Sequence, residues 1–104
     1  MQIIPLNPLD AQVFSLHLSE DSYRFRLVDR GDVGMMLDVY KNENEGIMGI
    51  LCLDRVRLIR SAYKRFPGEL MFADQQGTMN PYYLGLNQRF LLYYLSDDEQ
   101  EVGL

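Results

Sequence analysis

Two neighbouring segments of the chain alternate apolar and polar residues with the period of two that is typical of a half-buried β-strand. In residues 12–18 the apolar face consists of Phe14, Leu16 and Leu18. In residues 22–30 it consists of Tyr23, Phe25 and Leu27, opposite two arginines. The polar residues 19–22 between the segments suit a hairpin connection. The sequence therefore predicts an antiparallel pair of strands.

Two further strands are predicted downstream. Residues 30–34 contain glycines that permit a tight reversal, and residues 35–41 alternate again, which indicates a third strand. Residues 47–54 are apolar on both faces, and this predicts a central strand covered on both sides. Gly49 within that strand indicates a bulge or a close neighbour.

The period changes to three and four between residues 55 and 66, which predicts a short helix or helical loop that ends at Pro67. A short strand is expected at residues 69–73 and a last strand, apolar on both faces, at residues 88–95. Residues 80–85 between them are rich in Tyr, Pro and Gly and predict an ordered aromatic loop.

These elements predict a mostly β fold, a small antiparallel β-sandwich or partly open barrel with one short helix or helical loop. A chain of 104 residues has room for one core. We expect a single β domain over residues 1–95 and an acidic, frayed tail over residues 96–104.

Charge and cysteine content exclude several classes of function. The net charge of −5 opposes general binding to nucleic acids. One cysteine and one histidine make neither an intrachain disulfide nor a structural zinc site. Pro5 and Pro8 interrupt the first apolar stretch before it could act as a signal peptide, and the apolar run 47–53 is far shorter than the roughly 20 residues of a membrane span. A soluble cytoplasmic chain is expected.

No residue type is placed for catalysis. His17 lies on the polar face of a predicted strand, which indicates a solvated or hydrogen-bonded residue, and Cys52 lies in an apolar segment, which indicates a buried, inert thiol. Four carboxylates are interpreted as turn or surface groups: Asp38, Asp54, Glu69 and Asp74. The sequence predicts no enzyme activity, cofactor, metal or small-molecule substrate, with a cryptic carboxylate enzyme as an alternative.

Positive charge is concentrated in residues 55–65, with aromatic residues interleaved. An interface with an acidic protein surface, a nucleic-acid-binding β-barrel and a plain solvated face are the three interpretations. Together with two tyrosines of the aromatic loop, the predicted partner-binding residues are Arg55, Arg57, Arg60, Tyr63, Lys64, Arg65, Tyr82 and Tyr83. Apolar residues on both faces of several short strands further predict burial against another subunit, as a homo-oligomer or with other proteins.

The spacing of elements along nearly the whole chain resembles one known family. The segments that carry the resemblance are Ile3-Ile4-Pro5-Leu6, Gln12-Val13-Phe14-Ser15-Leu16, Tyr23-Arg24-Phe25-Arg26-Leu27, Met36-Leu37-Asp38-Val39-Tyr40, Gly49-Ile50-Leu51, Leu58-Ile59 with Tyr63, Gly68-Glu69-Leu70 with Asp74 and Gly77, Leu84-Gly85, and Phe90-Leu91-Leu92-Tyr93-Tyr94-Leu95. This order is similar to that of the cyanophage-type baseplate plugs of contractile phage tails.

The resemblance implies a virion structural protein of a phage or prophage. It would lie in the tail baseplate near the tail tube and hub, after assembly in the host cytoplasm, and would contact tube, hub or spike proteins and further copies of itself. It implies neither enzyme activity nor a cofactor. The chain departs from the family pattern by carrying Met35 and Met36 where members place tryptophan, and by a richer basic segment.

Overall fold

The computed structural model describes residues 2–18, 21–59 and 66–96, with only the backbone of Glu45. Seven strands are present in this part of the chain: β1 (Gln2–Ile4), β2 (Ala11–Leu18), β3 (Asp21–Asp29), β4 (Met35–Lys41), β5 (Asn44–Leu51), β6 (Glu69–Asp74) and β7 (Phe90–Leu95). Two short 3-10 turns lie at Gly31–Val33 and Tyr83–Gly85.

The strands form two antiparallel sheets, one of four strands in the order β2-β3-β4-β5 and one of three strands in the order β1-β7-β6. The described strands do not close into a barrel. The prediction of a mostly β fold is confirmed, and the sandwich is the form it takes. β1 contains three residues and was not predicted as a strand, because so short a segment shows no period.

The first three strands of the four-stranded sheet follow the predicted alternation. β2 and β3 pair with Phe14 opposite Phe25, and their rings stack with centroids 5.1 Å apart. Tyr23, Phe25 and Leu27 are buried, while the arginines between them are exposed. Burial of every second side chain fixes this register, since a shift by one residue would turn the arginines into the core.

The core lies between the two sheets. Phe25 and Leu37 from one sheet and Phe72 and Leu92 from the other are fully or almost fully buried in one cluster. Phe66 packs edge-on against Phe25 at 6.1 Å and also contacts aromatic rings of both sheets. Large aromatic side chains therefore fill the interior, as expected for a small domain.

The prediction of a central strand at residues 47–54 is wrong, because β5 is an outer strand of its sheet and ends at Leu51. Met48 and Leu51 are exposed. Apolar residues on both faces do not distinguish a strand between two neighbours from an edge strand beside a groove. The predicted bulge at Gly49 is confirmed: its φ is +69°, its N–H donates to Asp38 Oδ1 at 2.7 Å, and the pairing with β4 shifts there.

Residues 54–58 run beside the outer edge of β6 and form no helical turn. Asp54 bridges to Phe72, and Arg57 bridges to Met71. The N–H of Leu58 donates to the carbonyl of Leu70 at 3.0 Å. Leu58 and Ile59, at the end of this segment, are buried in the core cluster. The rest of the predicted helix, residues 60–65, and residues 97–104 of the predicted tail lie outside the described residues.

Candidate docking surface

One end of the sandwich collects several loops, because the strand registers bring together the start of β2, the end of β3, the end of β6 and the start of β7. We call this part the loop end and define it as residues 5–10, 30–34, 52–55 and 75–89. The N–H of Asp29 donates to the carbonyl of Asp10 at 2.7 Å, and the N–H of Leu6 donates to Asn87 Oδ1 at 3.3 Å. Both bonds are made by the segment 5–10, which links β1 of the three-stranded sheet to β2 of the four-stranded sheet and so holds the loops of both sheets at one end.

Exposed apolar side chains are concentrated at the loop end. Among the described residues, nine large apolar side chains are exposed, and five of them lie in these loops: Leu9, Val33, Met79, Tyr82 and Leu84. The most exposed are Val33 at 63% and Leu84 at 62%. Single exposed apolar residues are ordinary, whereas several in the loops at one end of a small molecule make that end a candidate contact surface. We call these five residues the loop-end surface.

A buried carboxylate, Asp74, holds the loop beneath this surface. Its side chain is fully buried and accepts two parallel hydrogen bonds from the Arg89 guanidinium, both at 2.8 Å. The backbone N–H groups of Gln76 and Met79 donate to its two oxygens at 2.9 and 2.8 Å. The Arg89 guanidinium first, and these N–H donors after it, hold the pKa of Asp74 well below its usual range despite the opposing effect of burial. Asp74 is therefore ionised and fixes the turn that follows β6.

Asp54 and Arg55 extend this network to the segment that joins the two sheets. Asp54 Oδ1 accepts the backbone N–H of Asp74 at 2.7 Å, and its Oδ2 pairs with Arg55 Nη1 at 2.7 Å. Arg55 also donates to the carbonyls of Gly77 and Asp74, each at 3.0 Å. The N–H of Asp54 donates to Asn80 Oδ1 at 2.9 Å. The beginning, middle and end of the 74–80 turn are thus each hydrogen-bonded to Asp54 or Arg55.

The two tyrosines of the loop are held next to the acidic rim of the loop end. The rings of Tyr82 and Tyr83 lie with centroids 4.8 Å apart. The adjacent Tyr82 hydroxyl first, then burial and the nearby carboxylates of Asp10 and Asp29, raise the pKa of the Tyr83 hydroxyl. Gly85 ends the 3-10 turn directly on Phe90, where an added Cβ would come within 2.7 Å of the buried ring. The loop is ordered by packing, as the sequence predicted.

The predicted partner-binding residues divide into three groups. Arg55, Tyr82 and Tyr83 lie at the loop end, with Tyr82 exposed and Tyr83 half-buried. Arg57 lies beside β6 and lines a groove of about 360 Å³ with apolar residues of β5. The other four residues lie outside the described part of the chain: Arg60, Tyr63, Lys64 and Arg65.

The histidine and the cysteine, considered above as candidate catalytic residues, are placed as the sequence predicted. His17 is exposed, with Nδ1 3.4 Å from Ser22 Oγ, and the prediction of a solvated or hydrogen-bonded residue is confirmed. Cys52 is buried, as predicted, and burial raises the pKa of its thiol to about 12. Such a thiol is protonated at neutral pH and is a poor nucleophile.

The interpretation of the carboxylates as turn or surface groups is wrong for Glu69; Asp74 does cap a turn, but its burial was not predicted. Asp74 is buried in the network described above, and Glu69 is buried at 2% exposure. Glu69 Oε1 accepts the backbone N–H groups of Ile59 and Leu70 at 2.6 and 2.8 Å. Both carboxylates are taken up by hydrogen bonds within the chain, which is what allows their burial. Their geometry is that of structural groups.

Sequence reasoning missed Arg89 and four members of the loop-end surface: Leu9, Val33, Met79 and Leu84. The turn residues after Asp74 were a signal for a carboxylate that caps a turn. Nothing in the sequence pairs that carboxylate with an arginine fifteen positions further on. Within the described residues, no group of three or more His, Cys, Asp or Glu side chains is arranged to hold a metal, and no helix is long and apolar enough to cross a membrane.

Comparison with known proteins supplies the family. Residues 1–98 match the family model described as cyanophage baseplate Pam3 plug gp18. The chain belongs to this family. No curated protein matches the chain. Membership of the plug family implies a structural role in a phage tail baseplate, and it confirms the resemblance seen in the order of the strands.

Proposed function

We propose that this plug-family chain docks onto other baseplate proteins near the tail tube and hub, and that it does so through the loop-end surface. It would hold or seal the assembly without turning over a substrate. The observation that carries the proposal is the collection of exposed apolar side chains above the Asp74 network. A rigid apolar patch lowers the entropy cost of docking, since its backbone is already ordered.

The composition of the surface supports protein contact. Tyrosine and methionine are enriched in protein interfaces, and aliphatic side chains such as Leu84 fill pockets on a partner. The acidic residues Asp10 and Asp32 lie in the same loops and are exposed, and Asp29 is the last residue of β3 beside them. We infer that the partner offers an apolar pocket with cationic residues at its rim, because opposite charges speed association and favour the right partner.

The cationic residues predicted from the sequence have a secondary part in this proposal. Arg55 is engaged by Asp54 and two carbonyls, yet its side chain is 52% exposed, so its outer face is open to an acidic group of a partner. Arg57 borders the groove beside β5 and could contribute there. Tyr82 and Tyr83 belong to the loop end itself.

The test is binding of the purified chain to the tube and hub proteins encoded with it. Leu84→Asp places a charge in the loop-end surface and changes no residue of the buried network, and we expect affinity to fall at least about tenfold. Ile3→Asp is the matched control, because Ile3 is an exposed apolar residue of β1 that does not belong to the loop-end surface. Equal affinities of Leu84→Asp and the natural chain would refute the loop end as the docking site.

A second measurement tests the location. Electron microscopy of assembled tails should show the chain in the baseplate, with loops 75–89 against a neighbouring protein. Tails that contain the chain elsewhere, or contact it only through its strands, would contradict the proposal.

A further inference from the structure

The two sheets have four outer strand edges, and three of them are protected. Residues 54–58 cover the edge of β6. β5 is interrupted by two register shifts, and β1 has three residues followed by a proline, which has no N–H to offer. Proteins use covering segments, bulges, short strands and prolines to prevent pairing between sheet edges. The fourth edge, that of β2, has none of these features.

β2 is long, regular and uncharged. Its eight residues pair with β3 from Ala11 to Leu18 without a register shift. It contains no Asp, Glu, Lys, Arg or Pro, and no described segment pairs with its outer edge. An edge of this kind is a template for another strand.

The pairing pattern shows which backbone groups of β2 point outward. Because the N–H of Asp29 donates to the carbonyl of Asp10, residues 10, 12, 14, 16 and 18 direct their backbone groups to β3. The N–H and C=O groups of the residues between them point away from the sheet. These residues are Ala11, Val13, Ser15 and His17, and all four have exposed side chains.

The inner face of β2 is also incompletely covered. Phe14, Leu16 and Leu18 pack against the core and yet remain only half-buried. An added strand beside β2 would cover the open flank of this apolar row as well as pair the backbone. The outer edge of β2 therefore offers both backbone groups for pairing and apolar side chains that are still partly exposed.

We propose that β2 pairs antiparallel with β2 of a second copy about a two-fold axis that passes beside Phe14, so that the two four-stranded sheets become one continuous sheet. In this register Ala11 lies opposite His17 of the other copy, and Val13 lies opposite Ser15. Every outward N–H meets an outward C=O. The two Phe14 rings come together on the inner face, next to the rings of Phe25.

A second copy fits this edge better than a charged partner strand does. Copies of a chain with a net charge of −5 repel one another, and a contact through uncharged β2 adds no close pair of like charges to that repulsion. The nearest arginines, Arg24 and Arg26, lie one strand further in. Across the new sheet the two β3 strands are separated by roughly 14 Å, beyond a Debye length of about 10 Å in 0.1 M salt. The pairing is independent of the loop-end surface, and its failure would leave the docking proposal standing.

The first test is the molar mass of the purified chain in solution, measured by sedimentation up to about 1 mM. Ser15→Pro removes an outward N–H that makes no bond within the sheet, and Ser15→Ala removes the same hydroxyl but keeps the N–H. We expect a concentration-dependent dimer for the natural chain and Ser15→Ala, and a folded monomer for Ser15→Pro, with circular dichroism to verify folding. A natural chain that stays monomeric, or a folded Ser15→Pro that dimerises equally, overturns the proposal.

The second test fixes the register and does not depend on a proline variant. Val13→Cys and Ser15→Cys both change exposed residues, and directly opposed strand residues lie about 5.5 Å apart between Cα atoms, a distance that suits a disulfide. A mixture of the two single variants should cross-link under mild oxidation, whereas each variant alone should remain largely uncross-linked. Cross-linking of either variant alone as fast as the mixture would refute the axis beside Phe14.

Discussion

The two sheets differ in where their charged side chains lie. In the three-stranded sheet Glu69 and Asp74 are buried at the two ends of β6 and are satisfied by hydrogen bonds. In the four-stranded sheet the ion pairs lie at the surface: Arg26 Nη1 is 3.6 Å from Asp38 Oδ2, and Lys41 Nζ is 3.4 Å from Asp21 Oδ2. The guanidinium carbon of Arg24 lies over the Tyr40 ring, 4.6 Å from the ring centroid.

The difference shows that buried polar groups contribute to the stability of the three-stranded sheet, whereas the surface ion pairs of the four-stranded sheet contribute little. A buried charge that loses its partner is costly, whereas a surface pair contributes little beyond solvent and salt effects. The three-stranded sheet therefore supports a rigid loop end. The four-stranded sheet derives its order from the alternating apolar face and leaves the β2 edge available for assembly.

Among the variants considered, Asp74→Asn is expected to lower stability the most. The change keeps the shape of the side chain but leaves the Arg89 guanidinium without a negative partner and weakens the bonds to Gln76 and Met79. Thermal unfolding should show a larger fall in Tm than for any variant below, and amide exchange should speed up in residues 75–80. Asp38→Asn on the other sheet is the control, and an equal fall there would remove the contrast.

Acidification should weaken the same region. Because the folded state holds the pKa of Asp74 below its usual value of about 3.9, ionised Asp74 adds stability above that pH, and the addition is lost as the pH falls through the folded pKa. The difference in Tm between the natural chain and Asp74→Asn should shrink steadily below about pH 4. A difference that stays constant down to complete acid unfolding would contradict this assignment.

Removal of the second buried carboxylate should have an intermediate effect. Glu69→Ala leaves the N–H groups of Ile59 and Leu70 without their acceptor, at a cost of about 1–3 kcal/mol in the free energy of unfolding. Glu69→Gln keeps an acceptor oxygen and should cost less. Chemical denaturation of both variants measures the difference, and equal losses would show that the charge matters more than the hydrogen bonds.

The smallest effect is expected on the four-stranded sheet. Arg26→Gln breaks the surface pair with Asp38 while Asp38 keeps its bond to the N–H of Gly49. The free energy of unfolding should change by less than about 1 kcal/mol, and the change should vanish in high salt. A larger, salt-resistant loss would mean that both sheets depend on their charges.

The sequence predicted the four-stranded sheet better than the rest of the molecule, for a physical reason. In β2, β3 and β4 one face is consistently more buried than the other, so alternation marks both the strands and their inward residues, such as Phe25. β5 is apolar on both faces, and its place at the edge depends on which strands fold beside it. Residues 54–58 are held by bridges to β6, which no local period records.

The candidate site was predictable in part. The aromatic loop with Tyr82 and Tyr83 stood out by composition, and the turn after Asp74 by its residue types. The burial of Asp74 depends on Arg89 arriving from the start of β7, and the loop-end surface depends on Leu9 and Val33 arriving from other loops. Contacts between residues distant in sequence decide both features.

The segment that joins the sheets also bears on how the molecule comes apart. Cys52 donates its N–H to Met35 of the four-stranded sheet, and Arg55 and Leu58 donate theirs to Phe72 and Leu70 of the three-stranded sheet. Residues 52–58 are thus hydrogen-bonded to both sheets. Unfolding of either sheet removes some of the hydrogen bonds that hold this segment against the other. Such a hinge-free link favours all-or-none unfolding, in which a mechanical load on one sheet is shared by the whole protein.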